Sequence, residues 1–542
     1  MTAPAAALSR TRSLGDRLRS LGRRPLPVHP LLFAAFPVLF LYASNIAEQV
    51  PVGGVLASLS LVVGGAAVIL VAATAALGDA RRGALLTSLW VALFFGYGHV
   101  WNVIQAAGGG GLEKWLLIGW LLLGIGAVIL AVRSGRRLAA ATRGLNAASA
   151  ALVTLNLVII LVGGAGTGGA PVRAPGEEVA LRRSSGPDIY YIVMDRYARA
   201  DTLRRRFGFD NTPFLDALRD RGFYVADRSL ANYPKTAHSL AASLNMEYLG
   251  FLTEMAGPGS DDWNPVYDLL RNFRVARALQ EAGYRYVHIG SRWEPTRIDP
   301  SADVNVVSSG LSEFAQVLYG TTLLSPVARF TGVLAESLDP RERERHRVLS
   351  QFERLAEAGT ADRPTFVFAH ILLPHEPYLF EADGGEVTGS EEAARPFEVN
   401  FINQLRYANR RLLGVIDALL ARPAGDRPVV LLQADEGPHP QGYLADEVHY
   451  DWTRASDADL DEKFAILNAY YLPGITDRGK TATGGPSRRR LYPSISPVNS
   501  FRVVFDAYLG ADLPLLPDRS YVFVDEEHLY DFEDVTGRLG EP

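Results

Sequence analysis

The chain has 542 residues, 48% of them hydrophobic, 21% charged and none of them cysteine, with a formal net charge of −5. That length exceeds one ordinary domain, and a net acidic chain without a basic stripe or a recognisable motif excludes nucleic acid as a partner. The missing cysteines exclude thiol chemistry and disulfide staples, and are compatible with an exported domain that does without them.

Residues 1–24 form a polar, arginine-rich leader with no cleavage-like end after a short apolar core, so it reads as a cytoplasmic tail. Five apolar stretches follow at 30–44, 52–77, 84–103, 115–132 and 147–162, the first being the shortest. Each approaches the ~20 residues that cross a hydrocarbon core. Basic residues alternate from loop to loop. The leader carries Arg10, Arg12, Arg17, Arg19, Arg23 and Arg24, the second loop Arg81 and Arg82, and the fourth Arg133, Arg136, Arg137 and Arg143, while the intervening loops hold only Lys114. By the positive-inside rule the amino terminus is cytoplasmic, and five crossings deliver everything after 162 to the outer side; an even number would reverse this. The expected organisation is a transmembrane domain at 1–165, a linker at 166–187 rich in Gly, Ala and Pro, and an extracytoplasmic catalytic domain at 188–542.

From 187 onward strand-like runs at 189–194, 284–289, 365–371, 429–433 and 464–471 are spaced by helical patterns at 213–221, 237–246, 265–282, 342–358, 397–421 and 497–508. Strands spaced by helices of this length predict an α/β domain with a mainly parallel sheet and helices on both faces. The fold class expected is therefore five transmembrane helices followed by such a domain. The loops at 294–325 and 380–397 have no reading of their own.

Two of the apolar runs end on carboxylates, at Asp195 and at Asp435-Glu436. Buried parallel strands read as continuous apolar runs, and open α/β sheets bind ligands beyond the carboxyl ends of their strands. Three acids at such an edge suit a hard divalent metal, Mn or Mg foremost, with Zn or Ca possible; taken singly, each reads as a helix cap or a surface turn, and only the combination is specific. Thr236 follows Tyr233-Pro-Lys at the start of a helical pattern. It is a plain N-cap unless a bound metal lowers its pKa and makes it a nucleophile. His370 ends a strand-like run and is a structural residue or a contact to the reacting group, whereas His375, in the Pro-His-Glu-Pro loop beyond it, is the better functional candidate. Arg292 and Trp293 follow another strand and offer an anion clamp and a pocket wall, an ion pair at the surface being the alternative. His439 is a weaker ligand or substrate contact.

In that order, Ile-Val-Met-Asp195, Asn232-Tyr-Pro-Lys-Thr236, His370-Ile-Leu-Leu-Pro-His375-Glu-Pro-Tyr and Gln433-Ala-Asp435-Glu436-Gly437 resemble the alkaline phosphatase superfamily. The likeness is to its membrane-anchored sulfatase-like branch of lipoteichoic acid synthases and phosphoethanolamine transferases. The resemblance implies Asp195, Thr236, Asp435 and Glu436 as metal ligands, with Thr236 also the nucleophile. It further implies His375 on the transferred group and Arg292 and Trp293 in a phosphate-contacting loop. The pattern usually reads Asp-His-Gly, and Glu436 replaces that histidine, which hardens the site. Sulfatases mature a cysteine or serine within C/S-x-P-x-R, and Thr236-Ala-His-Ser-Leu lacks both proline and arginine, so sulfate-ester chemistry is disfavoured. The function implied is metal-dependent transfer of a phospho-substituent, through phospho-threonine, to an envelope lipid, glycan or polymer, with membrane lipids as neighbours. The alternatives are a phosphodiesterase, phosphatase or sulfatase-like hydrolase of the same fold, and an inactive envelope-binding relative.

Overall fold

The computed structural model describes residues 26–46, 52–135, 138–165, 171–176, 179–182, 186–307, 312–331, 339–359, 363–475 and 491–540. The leader and part of the linker lie outside these. The chain divides into two units, one made of Met1–Ile46, Val50–Gly168 and Phe314–Leu338, the other of Ala47–Gln49, Gly169–Glu313 and Asp339–Pro542.

The first unit carries the five expected apolar segments as helices: α1 (His29–Ser44), α2 (Val52–Leu77), α3 (Ala80–Ala106), α4 (Glu113–Arg133) and α5 (Leu138–Ala165). The last four are long and apolar enough to cross a membrane, whereas α1 has 16 residues. Helix α1 packs on α2, α3 and α5, and α3 packs on α2 and α4. Asp79 caps α3 by accepting from the amides of Arg81 and Arg82, and Asn146 of α5 accepts from the amides of Val28 and His29 at the start of α1. Leu61, Val68 and Val71 point outward, an apolar exterior that needs lipid around it.

The second unit is built on a seven-stranded sheet ordered β2-β7-β6-β1-β5-β3-β4. Its strands are β1 (Ile189–Met194), β2 (Tyr224–Val225), β3 (Arg285–Ile289), β4 (Val304–Val306), β5 (Thr365–Ile371), β6 (Val429–Ala434) and β7 (Asn468–Tyr471). The five from β6 to β4 run parallel, and β7 and β2 add antiparallel pairings at one edge. Every residue of β1, β5 and β6 is buried, which is why these runs read as unbroken apolar sequence. Side chains alternate across a strand, so the adjacent Tyr190 and Tyr191 report its two faces. The Tyr190 hydroxyl donates to the carbonyl of Ala358, just past α7 (Pro340–Glu357), while Tyr191 meets Phe501 in the short helix Ser500–Val504. Helices thus cover both faces. The remaining elements that shape the site are α6 (Thr236–Asn245), α8 (Phe397–Leu420) and α9 (Asp457–Phe464).

Three expectations change in detail. The helix expected at 265–282 is two, Asn264–Arg271 and Arg274–Glu281, because Asn272 leaves helical geometry and Phe273 turns fully inward between them. The strand expected at 464–471 begins only at Asn468, since α9 extends to Phe464. The helix expected at 497–508 is a 3₁₀ turn, a short α segment and a π segment. Strands β2 and β4, of two and three residues, are too short to show a period.

Candidate metal centre

Register brings the acids together. Met194 of β1 pairs with Ala434 of β6 on one side and with Ile371 of β5 on the other. Asp195 and Asp435 are the next residues on neighbouring parallel strands, one strand spacing apart. His370 lies one residue back on β5, opposite Val193. One ligand atom each from Asp195, His370 and Asp435 falls within 4.8 Å of the others. The His370 Nε2 stands 4.0 Å from Asp195 Oδ2 and 3.8 Å from Asp435 Oδ2. Its Nδ1 pairs with the Thr296 hydroxyl at 3.0 Å, which orients the ring and leaves Nε2 for the acids.

Helix α6 is fastened to the same edge by the Ser239 hydroxyl, which donates to the Asp435 carbonyl at 2.6 Å. The helix starts at Thr236 with Lys235 in the N-cap position, and no side chain caps it. The Thr236 hydroxyl instead bonds to the Asp435 carboxylate, and Thr236 remains partly exposed while most of its helix is buried.

The acids are poorly compensated. Asp195, Asp435, Glu436 and His370 are all buried, and Asp195 Oδ1, Asp435 Oδ2, Glu436 Oε2 and His370 Nε2 have no hydrogen-bond partner. Burial, and then the neighbouring Asp435 charge, hold the Asp195 carboxyl well above its usual range. Burial likewise raises Asp435 and Glu436 and pushes His370 down to about 3. Orphaned lone pairs on carboxylates and a neutral imidazole fit a divalent cation, which would supply the missing charge and bonds.

Glu436 has partners of its own. Its Oε1 lies 2.7 Å from the Lys463 ammonium on α9 and 3.6 Å from the Arg196 Nε. Lys463, fully buried, also contacts His439 Nδ1 at 2.6 Å and donates to the Gly437 carbonyl at 3.2 Å. Arg196 takes a left-handed φ of 60°, uncommon for a non-glycine residue. Its amide donates to Asp435 Oδ1 at 3.2 Å, and its guanidinium grips Glu376 at 2.8 and 2.9 Å. A cavity of about 290 Å³ opens beside this cluster, lined by Arg196, His375, Glu376, Tyr378 and His439 among others.

The other sequence candidates also converge here. The Arg292 guanidinium reaches the Glu376 carbonyl at 3.5 Å, and Trp293 meets the His370 ring edge-on at 5.9 Å. Gln404 of α8 donates to the His375 carbonyl at 2.7 Å and holds that loop. Sequence reasoning missed Arg196, Lys463 and Glu376. Arg196 directly follows Asp195 and Glu376 directly follows His375, so adjacency to the motifs is a usable signal. Lys463 is 27 residues beyond Glu436 and gives none.

No family model and no curated protein matches the chain. Several solved structures align with it. They include the C-terminal periplasmic domain of EcEptC from Escherichia coli, at 14% identity over 67% of this chain and 96% of that one, with a TM-score of 0.42. They also include the integral membrane lipooligosaccharide phosphoethanolamine transferase A from Neisseria meningitidis, at 14% identity over 90% and 96%, with a TM-score of 0.41. An alkaline phosphatase superfamily protein from Vibrio parahaemolyticus aligns at 13% identity over 68% and 81%, with a TM-score of 0.38. At these values the chemistry has to be read from this chain's own residues.

Proposed function

We propose that the chain is a membrane-anchored, metal-dependent transferase that moves a phospho-substituent, by way of Thr236, to a cell-envelope lipid, glycan or polymer on the outer side of the membrane. The observation that carries the reading is the partly exposed Thr236 hydroxyl bonded to Asp435 within a buried Asp195–His370–Asp435 group. Asp195, Asp435, His370 and the Thr236 oxygen would hold the ion, and Glu436 offers it only Oε2. An imidazole among carboxylates suits Mn or Zn better than Mg or Ca. A divalent ion bound there lowers the pKa of the threonine hydroxyl and offsets charge on a phosphodiester.

The residues of the chain divide the remaining work. Asp435 orients the hydroxyl for in-line attack, so that the Thr236 oxygen forms a bond to phosphorus as the leaving alkoxide departs. Arg196 and Arg292 would face the non-bridging oxygens, His375 lines the cavity beside them, and the leaving alkoxide would take its proton from solvent. An acceptor hydroxyl then takes the group from Thr236; water in its place makes the same site a hydrolase. The test is turnover of chromogenic aryl phosphodiesters and aryl sulfates by the metal-reconstituted protein. Diester turnover that Thr236→Ala removes supports the reading. Sulfate turnover alone, or diester turnover untouched by Thr236→Ala, refutes it.

A further inference from the structure

Between β4 and α7 the chain leaves the α/β unit after Glu313, joins the apolar-helix unit, and re-enters at Asp339. Residues 314–328 contain no charged residue, in a part of the chain otherwise rich in Asp, Glu, Arg and Lys. They form two short helices, Glu313–Gly320 and Leu324–Thr331. Phe314 and Leu318 enter an apolar cluster with Ala34, Val38, Val91 and Phe95 of α1 and α3. Val317, Leu324, Val327 and Phe330 are each about half exposed.

The turn between the helices plugs into the backbone of α3. The Gly98 amide donates to the Thr321 carbonyl at 3.0 Å, and the Leu323 amide donates to the Phe94 carbonyl at 2.8 Å. Phe94 and Gly98 are spaced as the two ends of one helical hydrogen bond. A Cβ at Gly98 would stand 2.4 Å from the Gly320 carbonyl, so glycine is required for this approach. The Thr321 and Thr322 hydroxyls donate to the Leu318 and Tyr319 carbonyls at 2.7 Å each. A turn with its polar groups satisfied in this way is what irregular backbone needs at membrane depth.

We propose that 313–331 is a re-entrant hairpin whose exposed face, Val317, Leu324, Val327 and Phe330, contacts phospholipid acyl chains. Helices of eight residues are about 12 Å long, too short to cross a core of ~30 Å, so the hairpin enters and returns on one side. Acyl chains are the occupant because the four exposed side chains are all apolar and belong to a unit whose other exposed apolar residues require lipid. A second copy of the chain is the competing occupant.

The chain's lack of cysteine makes the test direct. Nitroxide is attached at Val317→Cys, Leu324→Cys and Val327→Cys of the full-length protein in vesicles of phosphatidylethanolamine and phosphatidylglycerol. Leu61→Cys on α2 and Asp383→Cys in an exposed loop are the references. Hairpin labels should collide with oxygen in preference to a water-soluble nickel chelate, as the Leu61 label does, and Gly98→Leu should expose them to the chelate without altering the Leu61 label. Nickel collisions matching the Asp383 label overturn the proposal. So does spin–spin broadening that vanishes on dilution with unlabelled protein, which assigns the face to a second copy. Hairpin labels indifferent to Gly98→Leu also contradict the docking.

Discussion

Removing the Lys463 ammonium tests how the site balances its charge. Lys463→Met keeps the apolar stem but leaves Glu436, buried at 2% exposure, without the cation 2.7 Å away. Breaking a buried pair by deleting one partner costs about 3–5 kcal/mol. Arg196, 3.6 Å from the same carboxylate, limits the loss to the low end, about 3 kcal/mol. At pH 7 the Lys463 ammonium keeps its proton, since burial lowers it only to about 8. Glu436→Gln removes the charge that needed compensation, so Lys463→Met in that background should cost about 1 kcal/mol, leaving a coupling near 2 kcal/mol. The lost contact to His439 is common to both backgrounds and cancels. The assay is thermal unfolding of the chelator-treated protein in detergent at pH 7, where about 3 kcal/mol corresponds to a fall of about 4 °C for a unit of this size. Lys463→Met costing as much in the Glu436→Gln background as in the parent would refute a charge-bearing role for the pair.

Asp195→Asn and Asp435→Asn should each weaken divalent-ion binding by more than tenfold in isothermal titration, with the secondary structure by circular dichroism unchanged. Gly437→Ala should destabilise by about 1–3 kcal/mol and lower activity, because its Cβ would stand 2.2 Å from the Glu462 carbonyl and 2.8 Å from the Lys463 carbonyl; unfolding and turnover measured together check this. His288 is buried, with its pKa held below the usual imidazole value by burial. The unfolded state therefore binds the extra proton, and stability falls as pH drops below about 6.5 by up to about 1.4 kcal/mol per unit. His288→Gln should flatten the pH dependence of the unfolding temperature between pH 6.5 and 5.

What the sequence made legible follows the length of each signal. The strands at 189–194 and 429–433 are legible, the second running one residue further to Ala434, because strands buried on both faces carry unbroken apolar runs, and their register then brings Asp195 beside Asp435. Thr236 is legible because its motif precedes a helical pattern. The Glu436–Lys463 pair is not, since it depends on α9 passing behind the β6 edge, and a lone lysine in Asp-Glu-Lys463-Phe carries no mark of burial. The expected helix at 265–282 fails at Asn272 for a similar reason. Its apolar period continues through Phe273, and only tertiary packing draws that ring inward and breaks the backbone.

If Thr236 carries the transferred group, mass spectrometry of the Thr236 peptide from protein purified out of its native membrane will detect it. The peptide should carry an added phospho-substituent on Thr236 that is absent from metal-stripped protein returned to donor and from Thr236→Ala. Metal-loaded, active protein quenched during turnover with Thr236 unmodified and another residue bearing the group would contradict it.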